Sequence, residues 1–123
     1  MIIDDVETVE DYYKVLMNEN FKDSLIISYF TADWCGPCKN ISPVITNIGE
    51  NNENIIVIKI NVDNCEEISE QCDISCMPTF KFYKNSSIEP VDSFSGADSD
   101  NLINTIRNLL NNDNNENSVE IIN

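Results

Sequence analysis

Two runs of nearly uninterrupted apolar, β-branched residues constrain this chain more than anything else in it: Ser24-Leu25-Ile26-Ile27-Ser28-Tyr29-Phe30 and Ile55-Ile56-Val57-Ile58-Lys59-Ile60-Asn61-Val62. A strand with one wet face alternates apolar and polar residues. Runs this continuous are covered on both faces, as central strands of parallel sheets are. Covering two faces takes helices, and the sequence between and beyond the runs supplies them. Val9, Tyr12, Tyr13 and Leu16 share one helical face; so do Ile41, Val44, Ile45 and Ile48; so do Leu102, Ile103, Ile106, Leu109 and Leu110. A shorter helix is expected over 64–71, with Cys65, Ile68 and Cys72 on one side, and Asp98 or Ser99 is placed to cap the last helix. Thr79 to Tyr83 alternates, and another short strand at about 91–95 follows Asn85-Ser86-Ser87, so these two form an antiparallel hairpin. The order strand, helix, strand, helix, strand, helix, strand, strand, helix describes an α/β fold with a central mixed β-sheet flanked by four helices.

A length of 123 residues allows one such domain. It is expected to span 1–110, leaving 111–123 as an Asn-rich, disordered tail. A net charge of -15 would repel phosphate backbones and anionic lipids, so neither a nucleic acid nor a membrane is expected as a partner. No stretch approaches the roughly 20 apolar residues of a membrane span. The acidic first residues resemble neither a secretory signal nor a transit peptide. Five cysteines, an odd number clustered between Cys35 and Cys76, do not read as the staples of a secreted domain; a cytoplasmic or nuclear setting is expected. With no histidine in the chain, the usual general base and the usual zinc ligand are missing, and cysteine is the conspicuous reactive group.

Trp34-Cys35-Gly36-Pro37-Cys38 falls where the first long run ends and the second helix starts. At a helix N-terminus, unpaired N–H groups and the helix dipole favour a thiolate at Cys35. Pro37 suits a first turn, where its missing N–H is not needed. Cys38, one turn on, can meet Cys35, so the pair can pass between dithiol and disulfide. A zinc site using this pair and two later cysteines is the competing reading, but positions 65, 72 and 76 offer no second Cys-X-X-Cys.

These residues, with Ala32, Asp33 and Lys39 around them, Pro43, Met77-Pro78-Thr79-Phe80 and Phe94-Ser95-Gly96-Ala97, make the chain resemble the thioredoxin family over about residues 1–110. The resemblance implies protein-disulfide reduction, with Cys35 as an exposed attacking thiol and Cys38 as a buried resolving thiol. It implies a cis bond before Pro78, a substrate-binding surface made by Trp34, Met77, Pro78 and Gly96, and a bend at Pro43. It further implies protein disulfide substrates, recycling by an NADPH-dependent thioredoxin reductase and no bound cofactor or metal. Readings of another class are an oxidase or isomerase of the same fold, and a redox-dependent binding module without turnover.

Two features depart from the family pattern. Six positions before Cys35, where thioredoxins commonly carry a buried aspartate that takes the resolving thiol's proton, stands Tyr29. A phenol is a poor base near neutral pH; Asp33 and Lys59 are the candidate substitutes. The hairpin from Lys84 to Asp92 is about two residues longer than usual and has no glycine. Cys65, Cys72 and Cys76 stand where animal-type cytosolic thioredoxins often carry extra, regulatory thiols. Cys65 and Cys72 also read as small core residues. Seven helical residues would separate them by roughly 10 Å, beyond disulfide reach. Cys76 is the candidate for an intermolecular disulfide that converts a monomer to a dimer under oxidation.

Overall fold

The computed structural model describes residues 1–112. The elements follow the expected order: β1 (Ile2–Ile3), α1 (Val9–Leu16), a 3-10 turn (Glu19–Phe21), β2 (Leu25–Thr31), α2 (Gly36–Asn51), β3 (Ile55–Asn61), α3 (Glu66–Gln71), β4 (Thr79–Tyr83), β5 (Asp92–Ser95) and α4 (Ser99–Asn112). They form one five-stranded sheet in the order β1-β3-β2-β4-β5. β1, β3 and β2 run parallel, while β4 and β5 add on antiparallel. The two apolar runs are the neighbouring strands β2 and β3, paired from Leu25 with Ile55 to Thr31 with Asn61.

Alternate side chains of these strands enter two cores. On one face Leu25, Ile27, Tyr29 and Val57 pack with Ile41, Ile45 and Ile48 of α2 and Leu102, Ile106 and Leu110 of α4. On the other, Ile26, Phe30, Ile58 and Ile60 pack with Tyr12 and Leu16 of α1 and Ile68 of α3. Helix starts are capped as their residues require. Thr8 accepts from Asp11 N–H at 3.1 Å, and Asp98, one of the two residues expected to do so, accepts from Asn101 N–H at 3.0 Å.

Three details correct the expectations. α4 continues to Asn112, so the first two residues assigned to the tail are helical; the rest of that segment lies outside the described residues. α3 has six residues and starts two later than expected, with Cys65 and Cys72 as its caps; these two and Ile68 still turn to one side, into the same core. In the hairpin without glycine, Asn85 and Ser86 take φ of 60° and 57°, left-handed values usually left to glycine. β4 runs from Thr79, paired with Phe30, to Tyr83, paired with Ile26, so this turn closes the sheet end remote from Cys35 and does not shape the site. Among the described residues no helix is long and apolar enough to cross a membrane.

Candidate active site

β2 delivers the chain to the sheet's end and α2 begins there, with Cys35 as N-cap. Cys35 and Cys38 are joined by a disulfide, their Cα atoms 5.3 Å apart. The Cys38 N–H donates to Cys35 Sγ at 3.1 Å. Sulfur thus takes the place of the oxygen acceptor that usually caps a helix. On reduction, the same N–H and the helix dipole favour negative charge on that atom. Gly36 and Pro37 lie exposed across the turn.

The expectation of an exposed Cys35 is corrected: the residue is only 4% exposed, against 2% for Cys38. Ala32, Val62 and Met77 pack around the bonded pair and cover it. Exposure belongs instead to Trp34, at 66%. Its indole Nε1–H donates to Asp63 Oδ2 at 2.9 Å. Beside the disulfide, the Met77–Pro78 bond is cis. Gly96 donates its N–H to the Pro78 carbonyl at 2.9 Å and takes φ +116°, which side-chain-bearing residues rarely adopt. Thr79 Oγ1 donates to the Cys76 carbonyl at 2.7 Å, which leaves Ser95 Oγ, also at 2.7 Å, to donate to Thr79. Trp34, Met77, Pro78 and Gly96 are therefore held by hydrogen-bonded or packed loops around one sulfur pair.

Tyr29 lies beneath, fully buried and stacked on Phe80 with ring centroids 5.2 Å apart. Its hydroxyl donates to the Cys38 backbone carbonyl at 3.2 Å and sits 2.7 Å from Ser42 Oγ. With its one proton used on the carbonyl, the phenol accepts from Ser42. It ties down the backbone of Cys38. Asp33 and Lys59 both line a cavity of about 880 Å³ that reaches Cys38 and Ser42. Among the described residues Lys59 has no carboxylate within 4.0 Å. Ser42 and Asn61 were not singled out by the sequence reading; a lone polar residue at a helix or strand position carries no signal until its partners are known.

The remaining thiols separate by exposure: Cys65 is buried, Cys72 half-buried and Cys76 exposed. Cys65 donates to the Val6 carbonyl at 3.4 Å. Burial pushes both the Cys65 and the Cys72 thiol above the ordinary range; at Cys72 the Tyr12 hydroxyl and Lys81 pull the other way. Among the described residues no three His, Cys, Asp or Glu side chains gather as a metal site would require.

A sulfur pair closed across the first turn of a helix, with a cis-proline loop beside it, defines a protein-disulfide oxidoreductase. A family model described as Thioredoxin matches residues 5–108. The thioredoxin of Oryctolagus cuniculus is 37% identical over 109 residues, covering 89% of this chain and all of that protein. The Homo sapiens thioredoxin is 40% identical over 88 residues, 72% of this chain and 82% of the relative. Among solved structures, Fasciola hepatica thioredoxin superposes with a TM-score of 0.74 at 34% identity, covering 85% of this chain and 94% of that one. The chain belongs to the thioredoxin family. Its activity is reduction of protein disulfides by dithiol/disulfide exchange.

Proposed function

We propose that Cys35 is the attacking thiol and Cys38 the resolving one. The Cys35 thiolate forms a bond to one sulfur of a substrate disulfide and expels the other as a thiolate. Cys38 then loses its proton and bonds to Cys35 Sγ, expelling the second substrate sulfur. Two electrons pass to the substrate, which takes up two protons, and the Cys35–Cys38 disulfide remains. A thioredoxin reductase drawing on NADPH returns it to the dithiol. The observation that carries these roles is the Cys38 N–H on Cys35 Sγ, which gives Cys35, and not Cys38, the helix-terminal position.

Trp34, Met77, Pro78 and Gly96 are the docking surface, and no cofactor or metal is needed beyond the sulfur pair. Asp33 and Lys59 serve proton transfer from Cys38, which is supported by their place on the cavity that Cys38 lines. Asp33→Asn is expected to slow release of the mixed disulfide; an unchanged single-turnover rate removes Asp33 from that role. The protein works as a monomer in the cytoplasm or nucleus, where thiols stay reduced. Exposed Cys76 links two copies under oxidation, while Cys65 and Cys72 remain in the core.

The reduction potential at pH 7 tests the direction of the chemistry. A value near −270 mV, about the established one for thioredoxin, is expected; one near about −180 mV or higher would make the protein an oxidase or isomerase. Trapping with Cys38→Ser is expected to capture many covalent partners. A single partner that survives Cys35→Ser would instead identify a binding module.

A further inference from the structure

Asn61 ends β3, at the last register position shared with β2. Beyond it the two strands part, β2 toward Trp34 and β3 toward α3. Its side chain spans the gap. Nδ2–H donates to Asp33 Oδ1 at 3.2 Å, and Oδ1 accepts the Asp63 N–H at 3.0 Å. Asp63 in turn holds the Trp34 indole at 2.9 Å. These contacts close a ring: Asp33 to Asn61, Asn61 to Asp63, Asp63 to Trp34, and Trp34 back to Asp33 through the peptide bond.

We propose that Asn61 is a positioning residue for Trp34, and through it a determinant of how tightly protein disulfides and the reductase dock. The chemistry of the amide suits the task. Asp33 and the Asp63 backbone require one donor and one acceptor from a single short side chain, which an amide provides and a carboxylate does not. A carboxylate at position 61 would face that of Asp33. The ring also answers a physical problem. A side chain as large as Trp34, left 66% exposed, would otherwise sample several rotamers and lose that freedom whenever a partner docked. Held in advance against Asp63, it presents a fixed plane beside the sulfur pair. Asn61 does not touch the disulfide, and its one bond to Asp33 engages a single carboxylate oxygen, Oδ1, leaving the carboxylate itself in place for proton transfer, so the expected effect falls on docking and not on the exchange step.

This inference rests on the reading of Trp34 as docking surface, but its first readout does not. Trp34 is the only tryptophan in the chain, so fluorescence reports on it directly. Asn61→Ala is expected to lower the Trp34 anisotropy and to raise its quenching by acrylamide in both redox states. Turnover of a protein disulfide such as insulin, with a reductase recycling system, is expected to show KM raised about threefold, kcat unchanged and the Cys35/Cys38 potential unchanged, the size that ordering one large side chain commands. Asn61→Asp, close in shape, is expected to free the indole at pH 7 as well, so that a folding defect in the alanine variant does not decide the matter. Unchanged anisotropy and quenching in both folded variants overturn the inference. So does a freed indole with KM unchanged, which would also remove Trp34 from the docking surface while leaving the sulfur chemistry intact. An altered potential or a fall in kcat alone would overturn it too, by placing Asn61 in the chemistry.

Discussion

Tyr29 is the residue at which this chain departs from its family, and the structure gives the departure a definite content. The ring fills the place where the family resemblance implies a buried carboxylate, and the hydroxyl turns to the backbone of Cys38 and to Ser42. Its proton is committed to a carbonyl one position before Lys39, whose own carbonyl loses its helical partner because Pro43 has no N–H. The phenol strengthens a helix turn where the proline weakens it. Tyr29→Phe keeps the stack on Phe80 and deletes the two hydrogen bonds. It is expected to lower stability by about 1–2 kcal/mol, as loss of a buried donor does, with the rate of mixed-disulfide resolution within about twofold of the parent. A urea midpoint and a single-turnover trace measure both, and a large rate loss would make the hydroxyl part of proton transfer. Tyr29→Asp is expected to fold less stably, by about 2–4 kcal/mol, since it opens a cavity and buries a charge. It is nevertheless expected to speed resolution, because it restores an acceptor beneath Cys38.

At the scale of elements, the helix–sheet contact at Gly49 is what lets the short β1 pair with β3. A Cβ there would strike Ile2 Cδ1 and come within 2.9 Å of Val57 Cγ2, a strand atom with little room to move. Alanine favours a helix by about 1 kcal/mol over glycine, but overpacking costs about 1–3 kcal/mol. Gly49→Ala is therefore expected to lower the thermal midpoint despite its better propensity, and β1 amides are expected to exchange faster with solvent; a raised midpoint would mean that Ile2 simply moves aside. Nothing in the sequence marks Gly49, because its requirement comes from a contact 47 residues away. The elements that were legible are those whose signal is local. β2 and β3 announced themselves by runs of buried side chains, and α2 by periodicity and the placement of Cys35 and Pro37. What stayed hidden was set by non-local partners: the covering of Cys35 by Val62 and Met77, the Asn61 bridge and the direction of the Tyr29 hydroxyl. The disulfide site was readable because its chemistry is compressed into five consecutive residues.

Across the whole molecule, the face opposite the catalytic helix is tied together by phenols. Tyr12 of α1 donates to Tyr83 of β4 at 2.9 Å and meets Ser28 of β2 at 2.8 Å, all inside the core. Burial, the largest cause for both, pushes the Tyr12 and Tyr83 phenols well above their ordinary value of 10.0. A phenol that ionises in the unfolded chain but stays protonated in the fold adds stability in full below pH 10 and loses it as pH rises above that value. The Cys65 and Cys72 thiols act in the same sense from their ordinary 9.0. Stability is thus expected to be level to about pH 9 and then to fall, with each phenol contributing up to about 1.4 kcal/mol per pH unit above 10. Urea midpoints at pH 8, 10 and 11 measure the fall. With a net charge of -15, general repulsion also rises as lysines lose their protons, but it weakens in salt. The contribution of buried phenols does not. At high salt, Tyr12→Phe is expected to be less stable than the parent at pH 8, where the hydrogen bonds count, and to lose less between pH 10 and 11. Parallel losses in the two proteins would mean that repulsion, and not the buried phenols, limits the alkaline range.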